Sequence, residues 1–252
     1  MVLEQPTGIT GDVYFVGPGG LDTNGGKRRN NAFLTTLKAY NTSAQGDTIV
    51  YLPDHVETIA ASINVAKAYL TFVSEGLGSH RAKIINGGAT GLFQCSAVGS
   101  RFMNMTFPAS TVVAPRRFLL SADRNLFEDC DFTCGAFDTA ATIEFSAGGA
   151  LSTIRTTRFV GTDAAAKRPI LVSTSAEGLI FDNVTFDSGG FGWSDPYGTA
   201  FAPTSGAVVM VGLYMRSLRL LNGSSINIGT AGATTAFISM ASDSGEPLIY
   251  QA

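Results

Sequence analysis

Carboxylates gathered on one face, with a cation among them, can divide the acid and base work of cleaving a glycosidic bond. The densest group of that kind in this 252-residue chain is Glu128-Asp129-Cys130-Asp131. Arg155 and Asp182 follow Glu128 at steps of 27 residues (128 to 155 to 182), and Asp187 lies close behind. If one element repeats at that step, Glu128, Arg155 and Asp182 line one groove, with Asp131 facing outward beside it. Alternating acidic and basic residues at an outward position are equally an ordinary salt-bridged surface. The salt-bridged reading is preferred, so no catalytic residue is assigned. Glu128, Asp131, Arg155 and Asp182 are the candidates should the chain be an enzyme. His55 and His80 fall outside the repeated part, which leaves a histidine-based triad unsupported there.

An element does repeat. Phe102-Met-Asn104-Met-Thr106-Phe107 is followed by Phe127-Glu-Asp129-Cys-Asp131-Phe132, Ile154-Arg-Thr156-Thr-Arg158-Phe159 and Phe181-Asp-Asn183-Val-Thr185-Phe186. A worn copy is read at Leu220-Leu-Asn222-Gly-Ser224-Ser225. The closing positions lie 25, 27, 27 and 39 residues apart (107 to 132 to 159 to 186 to 225). Strand-like repeats of this period indicate stacked coils. Strict alternation would put the closing aromatic and the small polar residue three places earlier on opposite faces. A bend between them is therefore expected at Asn104, Asp129, Thr156 and Asn183. Asn and Asp tolerate the left-handed conformation that such a bend needs.

A second apolar segment keeps time with the first: Leu92–Gln94, Phe118–Leu120, Thr142–Phe145, Ile170–Val172 and Val208–Met210, with Phe237–Met240 as a final incomplete coil. These runs are short, rich in β-branched and aromatic residues, and bounded by Gly, Ser or Asp, as strands are. Each coil thus carries at least two strands, with a third short one expected. The coil after Phe186 has roughly a dozen extra residues by the repeat logic. This insertion near 187–206 holds Phe191, Trp193, Tyr197 and Phe201. Aromatics on a loop of a rigid scaffold can anchor a neighbouring subunit or stack on a sugar, and the subunit contact is preferred.

Toward the N-terminus, Asp12–Gly17 reads as a strand. The glycine-rich run after it lacks phosphate-loop spacing and reads as a turn. Apolar residues at 33, 34, 37, 40 and 44 form a helical stripe that Gly46-Asp47 ends, and an Asn is available as N-cap. This is expected to be a capping helix, since an open solenoid end exposes strand edges and core. Thr48–Pro53 is then the first coil strand. The run Tyr14-Phe-Val16, Gly20-Leu-Asp-Thr-Asn-Gly-Gly26, Asn31–Val56 and Leu70–Gly87 resembles the opening of right-handed parallel β-helix proteins of the pectate-lyase-like class. The repeated Phe-x-Asn-x-Thr-Phe pattern is similar to that class's asparagine ladders. Sugar-cleaving members place two or three carboxylates, or a carboxylate–calcium–Arg/Lys site, on one face. The class also includes trimeric tailspikes, fibres and surface proteins of bacteriophages.

Composition bounds the partners. Hydrophobic residues reach 45%, charged residues only 15%, and mean hydropathy is +0.20. No apolar run is long enough to span a membrane, so the excess fits a flank hidden against copies of the same chain. A net charge of −3 gives no sign of nucleic-acid binding, and Lys27-Arg28-Arg29 is too short to count as a basic patch. Cys95, Cys130 and Cys134 lack metal-site or disulfide spacing and read as buried thiols. No metal or other cofactor is expected. The N-terminus shows no signal-peptide pattern.

The sequence thus predicts an all-β, single-domain right-handed parallel β-helix. Residues 1–47 form an N-terminal strand and capping helix, and 48–252 the solenoid. The resemblance implies a structural bacteriophage virion protein (head decoration, spike or fibre). It would be homotrimeric, partnered by other virion proteins and located in the virion, with a host surface glycan as a further partner. A polysaccharide lyase or hydrolase, or a non-catalytic glycan-binding adhesin, is the alternative.

Overall fold

The computed structural model describes residues 11–146, 149–173, 176–190, 201–203, 210–211, 214–221, 224 and 238–242. The expected right-handed parallel β-solenoid with one short helix near its N-terminus is what it shows. All strand pairs among the described residues are parallel. A short segment that turns after three or four residues cannot close its backbone hydrogen bonds within its own coil. Stacking at the inter-strand spacing of about 4.8 Å closes them with the coils above and below.

Each regular coil has three strands. The repeated motif supplies two, for example Leu126–Glu128 and Asp131–Cys134, and Asp138–Phe145 lies in the other main sheet. The first two kinds belong to a 15-stranded sheet that folds around the bend, the third to a six-stranded sheet. In the first column Phe72, Phe102, Phe127, Ile154, Phe181 and Met215 are successive register partners. In the second, Phe107, Phe132, Phe159, Phe186 and Leu220 are. The rings of that second column stack at 4.8, 4.8 and 5.2 Å between centroids from Phe107 to Phe186. Phe118 of the six-stranded sheet meets Phe102, Phe107 and Phe127 edge-on at 5.0 to 5.1 Å, which closes the core from the third side. Such contacts add about 0.5–1.5 kcal/mol per pair beyond area burial.

The bend falls where the sequence places it. Asn104, Asp129, Thr156 and Asn183 have φ of 55°, 52°, 48° and 54°. The N–H groups of the first three still donate to the next coil: Asn104 to the Glu128 carbonyl, Asp129 to that of Arg155, Thr156 to that of Asp182. The Asn104 amide also donates to the carbonyls of Ser74 and Gly76 in the coil below, at 2.7 and 2.8 Å. A second left-handed column lies two residues before the first strand of each coil: Gly46, Tyr69, Gly99, Arg124, Leu151 and Gly178. Here bulky residues lean over the next coil's glycine. A Cβ on Gly99 would meet the Tyr69 ring at 2.5 Å, and one on Gly178 the Leu151 side chain at 2.6 Å. The pattern of types hides this column, because only half its members are glycine.

The N-terminal end is closed twice. The edge of Val13–Val16 is bonded by the segment that follows, Phe15 donating to the Gly26 carbonyl and Phe33 donating to that of Phe15. The helix α1 is Thr36–Thr42, shorter than the expected stripe, with Thr35 rather than an Asn as N-cap. Phe33 and Leu34 stay outside it because Phe33 bridges Val16. Asp22 from the glycine-rich turn accepts from the Leu34 and Thr35 N–H groups and from the Thr35 hydroxyl.

The later coils depart from expectation. Phe186 pairs with Leu220, so the worn copy is Met215–Leu220 and its step is 34 residues, not the 39 that Ser225 implied. Its strand, Tyr214–Leu221, runs unbroken through both strand positions. Phe201–Pro203, read as insertion, pairs with Ile170–Val172 and forms the last rung of the six-stranded sheet. Met210, assigned that place with Val208, instead pairs with Ala176 in a separate two-stranded sheet. Ile238–Ser242 is not a further rung of the six-stranded sheet but continues the larger one on Tyr214–Leu221. Each slip has one origin: in worn coils apolar runs outnumber rungs, and backbone pairing selects among them. Phe191, Trp193 and Tyr197 lie outside the described residues, as does the Phe201 side chain.

Candidate functional site

On either side of the bend, alternate side chains point outward and stack in columns along the axis. Before the bend the column reads Met103, Glu128, Arg155, Asp182. After it the column reads Thr106, Asp131, Arg158, Thr185. The exact 27-residue step of these coils therefore brings Glu128, Arg155 and Asp182 onto adjacent rungs. Asp131 joins the neighbouring column, across the bend.

The charges engage one another. Arg155 Nη2 lies 2.7 Å from Glu128 Oε1. That hydrogen bond, together with the charges of Glu128 and Asp182 and against some loss from burial, pushes the Arg155 pKa above its ordinary value. Arg155 holds its proton and cannot serve as a base. Arg81 reaches up from two coils below, past the rung of Thr106, and forks, with Nη2 donating to Asp129 at 2.7 Å and Nη1 to Asp131 at 2.8 Å. Sequence reasoning missed Arg81, which sits just ahead of the strand Lys83–Asn86 and carries no repeat signature. Arg158 Nη2 meets Asp187 at 2.9 Å. Asp129 thus has two roles: its backbone makes the bend and its carboxylate fixes Arg81.

The result is a shallow, polar lateral face of interleaved guanidiniums and carboxylates. Arg155, Arg158 and both acids of the Arg81 fork are about half exposed. Among the described residues no three His, Cys, Asp or Glu are grouped as metal ligands would be. Glu128 and Asp182 stand two rungs apart, a backbone separation of about 9.6 Å at the usual strand spacing. Arg155 stands on the rung between them. On the same strands Leu126 and Ile180 occupy the neighbouring outward column, with Thr153 between them. Ile180 is exposed and Leu126 partly so, which gives the charged column an aliphatic border.

The three thiols contribute nothing to this face. Cys95, Cys130 and Cys134 are free and buried, and burial pushes their pKa values up from 9.0 to about 12, 12 and 11. The basic run is tied down too, Lys27 by Asp12 and Arg29 by Glu75.

The architecture is that of the right-handed β-solenoids of the pectate and rhamnogalacturonan lyase type. The particular structure it resembles is a rhamnogalacturonan lyase, with a TM-score of 0.50 and 10% sequence identity, over 92% of this chain. At that identity the likeness is one of fold. The chain spans 66% of the length of that structure. No protein-family profile matches the chain, and no curated protein matches it in sequence. No helix among the described residues is long and apolar enough to cross a membrane.

Proposed function

We propose that this protein engages a polysaccharide laid along the solenoid axis on the face that carries Glu128, Arg155 and Asp182. The observation that supports this most is the register of those residues on a fold shared with a polysaccharide lyase. Successive rungs present donors and acceptors at a fixed pitch, which suits the repeating hydroxyls of a glycan. Guanidiniums donate, carboxylates accept, and the Leu126–Ile180 column offers an apolar border to the sugar's C–H surface. The face carries the acids Glu128, Asp129, Asp131, Asp182 and Asp187 and the arginines Arg81, Arg155 and Arg158. Register also places Lys83, Arg101 and Arg219 in these columns, as partners of Thr106, Leu126 and Thr185, so the face presents charges of both signs in near balance.

The test is a glycan array followed by calorimetry on any hit, for the wild type and for Arg155→Met. Binding that falls by about tenfold or more in the variant supports the proposal, since a charged hydrogen bond is worth about 1.5–3 kcal/mol. Binding equal in both contradicts it. Release of shorter chains, abolished by Glu128→Gln or Asp182→Asn, would make the same face a hydrolytic site. The raised pKa of Arg155 opposes elimination with Arg155 as base.

A second reading, a homotrimeric structural subunit of a bacteriophage virion, draws on the stiffness of the continuous Phe107–Phe186 column. Such a subunit sits in the particle beside other virion proteins, with the aromatic stretch 191–201 as its contact. It is separated from the first by an inventory of virion proteins and by the absence of any glycan hit.

A further inference from the structure

The two outward columns of the charged face are divided by the line of bends. On the rungs of Glu128, Arg155 and Asp182 only two residues separate the columns, such as Asp129-Cys130 between Glu128 and Asp131. Two coils below Glu128 the same positions are held by Val73 and Lys83, and nine residues (74 to 82) separate them. Phe72 and Ile84 fill the interior there, so the seven extra residues (nine less two) have only the outside to occupy. They form a loop that stands on the line of bends. Leu77, Gly78, Ser79 and His80 at its tip are exposed, Leu77 to 68%.

The loop is fixed at neck and tip. The Ala82 N–H donates to the Ser74 hydroxyl at 2.8 Å, and the Asn104 amide donates to the carbonyls of Ser74 and Gly76. The two arms touch: a Cβ on Gly76 would meet the His80 carbonyl oxygen at 1.8 Å. The tip is a tight turn, Gly78–His80, closed by the His80 N–H on the Leu77 carbonyl. Glu75 pairs with Arg29, and His80 Nδ1 lies 2.9 Å from Asp54 Oδ1. From the end of the loop Arg81 runs along the line of bends to Asp129 and Asp131. A loop tied at so many points is a wall rather than a lid.

The other end of the line is clear. Asn183-Val184 and Ser217-Leu218 again number two, and among the described residues no bend beyond Ala82 is longer. The face is therefore closed at one end and open at the other.

We propose, resting on the glycan reading of this face, that the 74–82 loop is an end-stop. The face then holds the terminus of a glycan, with the last sugar against Leu77 and His80, rather than an internal stretch of a passing chain. Leu77 gives an apolar contact to the sugar's C–H surface. His80 has its Nδ1 engaged by Asp54, while its Nε2 has no partner among the described residues and is left for a terminal hydroxyl. Glycans rich in chain ends, short or branched, are favoured over long unbranched ones at equal mass.

The experiment is calorimetric titration with a linear array-positive glycan, used as the intact polymer and as its partial-hydrolysis fragments of increasing length. The proteins are the wild type, His80→Ala, and a variant with two glycines in place of residues 76–80. A linear chain has one terminus of each kind, so the wild type is expected to bind one copy per chain at every length. His80→Ala weakens binding about fivefold with the unfolding midpoint unchanged, since a neutral hydrogen bond is lost. The shortened loop lets several copies bind each polymer, the number rising with length. Wild-type copies per chain that rise with length overturn the end-stop and leave the glycan reading, which Arg155→Met tests, standing. Affinity unchanged in His80→Ala overturns the terminal contact. A wild type that binds no array glycan overturns both readings. Should the shortened variant fail to fold, the wild-type stoichiometry and the His80→Ala affinity decide alone.

Discussion

Thr156 is the member of the bend column whose chemistry opposes its conformation. A β-branched residue at φ 48° carries strain of about 1–3 kcal/mol, which Asn bears more easily. Its side chain is exposed, so replacement disturbs no packing. Thr156→Asn is therefore expected to stabilise the protein by about 1 kcal/mol in urea unfolding. An unchanged or lower midpoint would mean that the coil tolerates the strain at no cost. The bend itself was legible because three of its four members are Asn or Asp. The second left-handed column was not, because Tyr69, Arg124 and Leu151 are residues that no turn rule selects. The ion pairs were half legible: register alone aligns Glu128 with Arg155, whereas the Arg81 fork depends on a long side chain crossing coils.

The thiols give a pH dependence whose sign is fixed. Each is raised in the folded protein, so between pH 9 and its native value the unfolded chain loses a proton that the native chain keeps. Stability is whole below pH 9 and falls above it, by about 1.4 kcal/mol per pH unit per thiol. Tyr51 adds to the fall above its ordinary 10.0. Urea unfolding under reducing conditions at pH 8 and 10.5 should show the loss, and Cys130→Ala should lower the slope by one thiol's share. A slope that Cys130→Ala leaves untouched would contradict burial of that thiol. Correspondingly, a thiol reagent should label none of the three in native buffer and all three in denaturant.

At the scale of elements, the corner between Asp131–Cys134 and Asp138–Phe145 is held by polar groups rather than rings. Arg117 is wholly buried, and its Nε lies 2.9 Å from Asp138 Oδ2. It also donates to the carbonyls of Phe107, Pro108 and Thr133 and to the Thr142 hydroxyl. The Ser110 hydroxyl donates to the other Asp138 oxygen at 2.6 Å. These bonds collect carbonyls where the strand pairing shifts register between Ala114 and Arg116. Removing one charge leaves the other buried alone, so Arg117→Met should cost about 3–5 kcal/mol. Arg117→Met with Asp138→Leu should recover part of that loss, and a double variant no more stable than Arg117→Met would contradict the pairing. Nothing in the sequence distinguishes Arg117 from its half-buried neighbour Arg116, since both lie in one strand whose alternation the shift breaks. Phe132→Ala, in the middle of the stacked column, should cost a similar 3–5 kcal/mol.

For the whole molecule, a rigid stack converts a sequence period into a spatial pitch. Residues 27 apart become neighbours on adjacent rungs, and a face assembled in that way is as straight and regular as the backbone pairing beneath it. Where the period holds, from Phe102 to Phe186, strands, bends and outward columns could be placed from sequence. Where it loosens, after Phe186, competing apolar runs at 201–203, 208–210 and 215–220 could not be ranked without the pairing itself. The glycan proposal lives on the regular part, so it does not depend on the later coils.

The most direct measurement is calorimetric titration of the wild type and Arg155→Met with a glycan identified on an array. Saturable binding by the wild type, weakened about tenfold or more in Arg155→Met with the unfolding midpoint unchanged, is the predicted result. Equal affinity in both proteins, or a wild type that binds no glycan on the array, would contradict it.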